Sequence, residues 1–382
     1  MRLGLLPSLG GGLGGLASTG QVGRLLDGYL ARYVRAFDGV LYFSYLVESL
    51  RDFTTDPALL AGVEVIAPRR ATSRGRRTAT LAWTEGARLR SCGVLRAFQV
   101  TGTVPAIVAN ARFGVPYVTT YGFSYAQLSR RGPGRLLKAA VERIGLRRAA
   151  AVIATTEPLR VRAARVAREV HLVPNGVDIR HFAPPPGPPR AGRPARVLYV
   201  GRFAPEKNLE TVVAAVAALT RRMPARLVLA GAGPLQARLR EQARAAGLEV
   251  EFPGVIPQER LPPLYAEADV FVLASFTEGH PKVLLEAMAS GVPCVASDCE
   301  GNRSLVTDGQ TGLLFDPHQP AELAGQLGRV LADPALAATL ATAARSMVVD
   351  RYDLGALLDR EIALLQSVGR RTERDAMRCE AT

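Results

Sequence analysis

The sequence predicts an α/β protein of two domains, each built on a doubly wound parallel sheet. Three observations carry that prediction. First, short β-rich runs alternate with helical stretches of 10–15 residues through both halves of the 382-residue chain, the pattern of parallel sheets covered on both faces. Second, residues 183–194 hold six prolines, a composition that makes a semi-rigid connector and joins neither a helix nor a central strand. Third, the two halves differ in charge. Residues 1–200 carry 29 basic and 11 acidic side chains, +18, and residues 201–382 carry 19 and 23, −4. The domain boundaries expected are therefore 1–182, a linker over 183–194, and 195–382, with the last helix able to pack back on the first domain.

The elements follow in order. A first strand near Leu3–Leu6 enters a run with five glycines between Gly10 and Gly15. Arg2 and Leu16-Ala17-Ser18 imitate parts of a secretory leader, but Pro7 and the glycines interrupt the apolar run before it is long enough. Helix Gln21–Ala36 and strands Gly39–Tyr45, Val63–Ala67, Leu95–Val100 and Tyr117–Thr120 come next, then helix Pro133–Arg148. After the linker, strand Val197–Val200 leads to helix Asn208–Arg221, and Leu227–Leu229 to Leu235–Ala246. Strands Val250–Phe252, Val270–Ala274 and Cys294–Ser297 complete the series.

Composition excludes several classes. With 48% hydrophobic and 21% charged residues, the chain buries a full core and is not disordered. Cys92, Cys294, Cys299 and Cys379 lack paired close spacing, which excludes a disulfide scaffold or a zinc module. No run reaches the roughly 18–20 apolar residues of a spanning helix. The expected location is the cytoplasm, or the inner face of the cell membrane as a peripheral protein, with reduced thiols.

The richest text is S-F-T-E-G-H-P-K-V-L-L-E-A-M-A-S-G-V-P over 275–293. It follows a strand, so it sits at a carboxyl end, where ligands of open α/β sheets bind. Gly279 permits a tight turn, and Pro281 suits the first helical position, where a missing N–H costs nothing. The amides of Lys282, Val283 and Leu284 then precede the helical ladder at the positive end of the dipole, an arrangement that fits a diphosphate. Glu278 and Glu286, with seven residues between them, accept hydrogen bonds from sugar or ribose hydroxyls. A solvated helix with a Lys282–Glu286 pair is the alternative. After strand Val197–Val200, Arg202 and Lys207 flank a turn where two cations can neutralise a diphosphate leaving group. Further back, Pro174-Asn175-Gly176-Val177-Asp178 is a turn, flanked by His171 and His181, both read as structural.

In order and spacing, the PNGVD turn, G-R-x(4)-K-N-L and E-x(7)-E followed by A-M-A-S-G-V-P resemble family 4 of the retaining glycosyltransferases, which have the GT-B fold. The resemblance covers most of residues 170–320. It implies two Rossmann-like domains facing a central cleft. Arg202 and Lys207 would bind the donor diphosphate, Glu278 the donor sugar and Glu286 the nucleotide ribose. Gly279, His280, Pro281, Lys282 and Val283 would form the phosphate loop, and Gly254 and Val255 would touch the base through their backbone. The glycine cluster, with Gly12, Gly14 and Gly15, would approach the donor phosphates from the first domain. It formally contains G-x-G-x-x-G, but no acid follows a second strand at dinucleotide spacing, Asp38 lying before it and Glu48 after. The family often has a histidine in a T-x-H-G loop. Here Tyr121 of Thr119-Thr120-Tyr121-Gly122-Phe123 falls there, either bonding a hydroxyl or packing as an aromatic. With a reference pKa near 10, it is a poor base at neutral pH. A front-face retaining reaction, in which the leaving diphosphate oxygen helps deprotonate the acceptor, needs no imidazole there.

The expected activity is retaining transfer of a hexose from a nucleotide sugar to an envelope polysaccharide or lipid-linked glycan. A GT-B epimerase or phosphorylase, or a non-catalytic module binding membranes or polyanions, are the alternatives. No cofactor is expected, and without a D-x-D pair no metal. Residues 130–148 are rich in Arg, with Leu137, Ala140, Val141 and Ile144 on one face and Arg135, Lys138 and Glu142 on the other. That helix either packs its apolar face inward or meets anionic lipid. Arg69, Arg70, Arg74, Arg76 and Arg77 form a second basic cluster, read as a loop. Aromatics are 6% and the basic clusters lack interleaved aromatic platforms, so no nucleic-acid partner is expected.

Overall fold

The computed structural model describes residues 1–123, 133–185 and 193–380. The chain divides into two compact units, one of residues 1–174 with 356–382 and the other of residues 175–355. Most of the proline-rich stretch, residues 186–192, lies outside the described residues, as do Arg130 and Arg131.

Among the described residues the first unit holds a seven-stranded sheet in the order β3-β2-β1-β4-β5-β6-β7, every pair parallel. The strands are β1 (Arg2–Leu6), β2 (Val40–Tyr42), β3 (Val63–Val65), β4 (Cys92–Ala97), β5 (Tyr117–Tyr121), β6 (Ala151–Ala154) and β7 (Val170–Leu172). Alternating side chains feed two cores, one on each face of the sheet. Leu3, Leu5, Val40, Tyr42, Val118, Ala151 and Ile153 pack with Leu13, Leu26, Tyr33, Leu364 and Leu365. Leu6, Leu41, Phe43, Tyr117, Val152 and Ala154 pack with Leu81, Ala106, Leu146 and Leu159. The helix Leu354–Glu380 thus covers the first sheet, although it follows the second unit in sequence.

Two features of this unit depart from the sequence reading. The strand expected at Leu95–Val100 begins at Cys92 and ends at Ala97, because Val100 starts a separate turn. It accommodates a buried charge. Arg96 donates from Nε to Glu361 Oε1 (2.6 Å) and from Nη2 to Glu361 Oε2 (3.1 Å) and Thr120 Oγ1 (2.7 Å). Tyr33 Oη donates to the same carboxylate at 2.5 Å. Burial opposes the Arg96 charge, and Glu361 more than offsets it, so the guanidinium pKa is raised. The second departure is at Arg74–Arg77, expected as a loop, which opens the helix Arg74–Thr84. Ser73 caps it by accepting from Arg76 N, and Arg77 is buried against Ile66 O and Glu85.

The second unit holds a six-stranded parallel sheet among the described residues, in the order β10-β9-β8-β11-β12-β13. Its strands are β8 (Ala195–Val200), β9 (Ala225–Ala230), β10 (Val250–Gly254), β11 (Val270–Leu273), β12 (Cys294–Ser297) and β13 (Leu313–Phe315). The first and second strands of this half, β8 and β9, end in fully buried apolar runs, as parallel strands covered on both faces do. Helices Leu209–Thr220, Lys282–Ala289, Pro320–Ala332 and Pro334–Arg351 contribute to one continuous core with them. Both halves therefore have the doubly wound parallel architecture expected from the sequence.

Candidate functional site

In the second unit, chemistry-bearing side chains gather at the carboxyl ends of β8 and β11. The loop after β11 is held from below. Ser297 Oγ donates to Ser275 O (2.6 Å), and Asn302 Nδ2 donates to Ser297 O (2.9 Å). Gly301 lies so close to this loop that a Cβ there would stand 2.4 Å from Glu278 O. Only glycine permits that approach. Above it, Glu278 Oε1 accepts from Ser275 Oγ (2.7 Å) and from Lys207 Nζ (2.6 Å). The Lys207 and Glu278 side chains are 18% and 8% exposed, so the pair is well shielded from water. Arg202, by contrast, is exposed and pairs with Glu206 at 3.1 Å.

The residue joining these loops is one that the sequence reading quoted without assigning it a role. Asn208 has φ 54°, in the left-handed region. Its Nδ2 donates to Ala274 O (3.2 Å) after β11 and to Pro317 O (2.8 Å) after β13. Thr211 Oγ1 donates to its Oδ1 at 2.8 Å. Asparagine tolerates this backbone better than most residues, and its side-chain bonds tie three strand ends together.

The helix Lys282–Ala289 begins one residue later than expected. Pro281 precedes it with ψ 113°, an extended value, because the ring fixes φ and leaves ψ free. The first helical bond runs from Leu285 N to Pro281 O, so the amides of 282–284 precede the ladder. Glu286, on the second turn, is buried. Tyr265 Oη donates to its Oε2 (3.0 Å) and Gln258 Nε2 to its Oε1 (3.4 Å). Neither partner carries a sequence signal, since both come from the segment between β10 and β11.

His280 is buried beside Tyr352, ring centroids 5.3 Å apart, and its Nδ1 lacks a hydrogen-bond partner. Burial and then the Lys282 charge push its pKa down to about 3, so the ring is neutral at physiological pH. Its carbonyl accepts from Asn175 Nδ2 at 2.7 Å, which binds the PNGVD turn to the loop. Gly254 closes β10 with φ 78°, and the adjacent Val255 is exposed.

Tyr121, Gly12, Gly14 and Gly15 belong to the first unit. Tyr121 is buried, and its hydroxyl donates to Glu142 Oε1 at 3.0 Å. The amides of Leu13 and Gly14 donate to Glu48, an acid the sequence reading passed over. The helix Pro133–Arg148 turns Leu137 (68% exposed) and Ile144 (48%) outward, together with Leu136 (75%). An inward apolar stripe was one of two expectations. Gly145 and Leu146 face inward instead, because Gly145 packs where a Cβ would meet Thr103 Oγ1 at 2.6 Å. Among the described residues, no group of three His, Cys, Asp or Glu stands together as a metal site.

Comparison with known families gives this arrangement a setting. Residues 186–347 match the family model described as "Glycosyl transferases group 1", and residues 54–181 match "Glycosyltransferase Family 4". Segments in both halves of the chain thus match glycosyltransferase family models. The chain is 35% identical over 176 residues to an alpha-D-kanosaminyltransferase of Streptomyces kanamyceticus, 45% of this chain and 46% of that protein. It is 37% identical over 188 residues to a Mycobacterium tuberculosis glycogen synthase, 48% of this chain and 45% of that one. It is 35% identical over 222 residues to a GDP-mannose-dependent phosphatidylinositol monomannoside mannosyltransferase of Mycolicibacterium smegmatis, 53% and 57%. The chain thus spans about half the length of the curated relatives it matches. Its fold is that of a Thermosynechococcus elongatus sucrose-phosphate synthase (TM-score 0.78, 23% identity, 96% of this chain and 99% of that one). It is likewise that of Anabaena HepE, solved with UDP-glucose (0.76, 21%, 96% and 99%).

Proposed function

We propose that this chain transfers a hexose, with retention, from a nucleotide-sugar donor to a hydroxyl of an envelope polysaccharide or lipid-linked glycan. The observation that carries the reading is the convergence of Lys207, Glu278, Ser275 and the start of helix Lys282–Ala289 at one end of the second sheet. In the reading, Arg202, Lys207 and the amides of 282–284 take the diphosphate charge as it develops, with no metal. Glu278 receives donor-sugar hydroxyls and Glu286 those of the ribose, held in place by Tyr265 and Gln258. Gly254 and Val255 lie against the base. Tyr121 is bonded to Glu142, and the reaction asks no proton of it. A relative named for GDP-mannose and a structural neighbour solved with UDP-glucose support a nucleotide-sugar donor.

The test is thermal-shift screening against UDP, GDP and ADP sugars, followed by transfer assays in EDTA with the product anomer read by NMR. Lys207→Ala and Glu286→Ala are expected to lose transfer at least 100-fold. A product that is an epimerised nucleotide sugar or a sugar 1-phosphate would replace the reading with the epimerase or phosphorylase one. Unchanged function in both variants would leave only a binding module.

The acceptor side includes an anionic membrane surface. Leu136, Leu137 and Ile144 stand exposed beside Lys138, Arg143 and Arg147 on one helix, and among the described residues no helix is long and apolar enough to cross a membrane. A basic amphipathic face of this kind lies on a lipid surface. Sedimentation with phosphatidylglycerol vesicles, lost in Leu137→Glu/Ile144→Glu and weakened by salt, checks it. Equal binding to neutral vesicles would sink it.

A further inference from the structure

Four side chains from three helices meet at one rim of the first unit, and none of them belongs to the site described above. Trp83 lies near the end of helix Arg74–Thr84, Arg90 ends helix Gly86–Arg90, and Arg112 and Phe113 end helix Thr103–Phe113. The last two helices lead directly into β4 at Cys92 and β5 at Tyr117, so the cluster sits at the amino ends of those strands. Ligands of open α/β sheets take the opposite ends. The Arg112 guanidinium stands over the Trp83 ring (6.0 Å to the centroid) and the Phe113 ring (5.6 Å), and Arg90 stands over Phe113 at 5.0 Å. Aromatic and cation therefore alternate in the order Trp83, Arg112, Phe113, Arg90. Local sequence does not show this interleaving, because the fold brings it together from separate helices.

A ring face holds a guanidinium in place and leaves its N–H donors available. Arg90 and Arg112 are exposed, and among the described residues no carboxylate pairs with either. Residues 65–141 carry thirteen basic side chains and a single acid, Glu85, which is engaged by Arg77 and Arg88. The rim is therefore cationic, with nothing of its own to neutralise it. Trp83, the chain's one tryptophan, is 58% exposed. An indole combines an apolar body with an N–H that stays wet, and the water–lipid boundary suits both. Helix Pro133–Arg148 ends at the same rim, just before β6 opens beside β5 at Ala151, with Ile144, Arg147 and Arg148 exposed. We propose that the Trp83–Arg112–Phe113–Arg90 ladder is an interfacial anchor that seats the amino-end rim of the first unit on an anionic lipid surface. The indole enters the headgroup layer and the two guanidiniums pair with lipid phosphates. The choice of lipid as partner rests on the membrane reading under Proposed function, whereas the ladder and its unpaired charge do not. Arg202, Lys207, Glu278 and helix Lys282–Ala289 lie in the other unit, so anchoring and chemistry are separable by mutation.

The experiment uses the full chain with vesicles of phosphatidylglycerol and phosphatidylcholine, or of phosphatidylcholine alone. Because Trp83 is the one tryptophan, its emission reports this position and no other. With phosphatidylglycerol present, the emission is expected to move to the blue and to be quenched by lipids brominated on their acyl chains. With phosphatidylcholine alone it stays unchanged. Arg90→Gln combined with Arg112→Gln is expected to weaken vesicle partitioning about fivefold for each cation, and so about 25-fold together. Its circular dichroism melt should match wild type, since both side chains are exposed. Co-sedimentation with anionic vesicles while Trp83 emission stays unmoved and the double variant binds as wild type overturns this proposal and leaves the membrane reading standing. No co-sedimentation of wild type at all removes both. An emission change with single-stranded DNA and none with vesicles overturns it in favour of a nucleic-acid face, and a dimer lost in Trp83→Ala, with emission blind to vesicles, in favour of contact between copies.

Discussion

Glu361→Ala is expected to be among the most destabilising single changes in the first unit. Arg96 and Glu361 side chains are 3% and 6% exposed, so the variant strands a guanidinium in the interior with only Ala97 O and Thr120 Oγ1 as partners. Removing one member of such a buried pair costs about 3–5 kcal/mol, and Tyr33 Oη loses its acceptor as well. For a unit of about 200 residues, each kcal/mol moves the midpoint by about 2–4 °C. The first unit should therefore melt roughly 10 °C lower. The chain holds one tryptophan, Trp83, and it lies in the first unit. Tryptophan fluorescence thus reads this unit alone, while circular dichroism follows both. Arg96→Met combined with Glu361→Leu removes both charges and should recover most of the loss, since an apolar replacement of a buried pair is often neutral or better. A Glu361→Ala midpoint within 2 °C of wild type, or a double variant no better than the single one, would mean that the buried pair does not hold this unit together.

Three further expectations follow from the second unit. His280 is a base with its folded pKa depressed to about 3, so the unfolded chain takes up the proton first, below about 6.5. Stability is therefore full above that pH and falls as pH drops, by about 2 kcal/mol between pH 7.5 and 5, and urea titrations should show the slope disappear in His280→Phe. Asn208→Ala loses the bonds to Ala274 and Pro317 and places alanine at φ 54°, costing about 2–3 kcal/mol in denaturant midpoints. Asn208→Gly keeps the backbone and should cost about 1 kcal/mol less. Gly301→Ala drives a methyl into the Glu278 backbone, and the midpoint should fall by the equivalent of about 1–3 kcal/mol with UDP stabilisation lost.

The parts legible in the sequence are those where local pattern and burial coincide. Strands such as Val270–Leu273 and Cys294–Ser297 are buried on both faces, so their apolar runs announce them. The motifs after β8 and β11 lie within a few residues of a strand end, so spacing alone brings Arg202, Lys207, Glu278 and helix 282–289 to one end of one sheet. What escaped was set by contacts between distant segments. Strands β6, β7 and β13, of four, three and three residues, were not among the strands expected. Arg77 falls in a basic cluster expected as a loop and Arg96 in an expected strand, yet each is buried by a partner the local sequence does not name. Glu48 meets Leu13 across 35 residues, and no motif encodes that. On helix Pro133–Arg148, the hydrophobic period named one face, and close packing of Gly145 against Thr103 selected another.

The path of the chain through the two units has a consequence for synthesis. Residues 175–355 are inserted between the two segments of the first unit, so a ribosome completes the second unit before it makes the helix that finishes the first. At about 5–20 residues per second, Arg96 waits some ten seconds or more for Glu361. During that interval the second unit has all its residues, while one face of the first sheet lacks the Leu357, Leu364, Leu365 and Val368 side chains that cover it. The order of maturation is thus the reverse of the order of translation, and the first unit is the one that a chaperone would meet exposed.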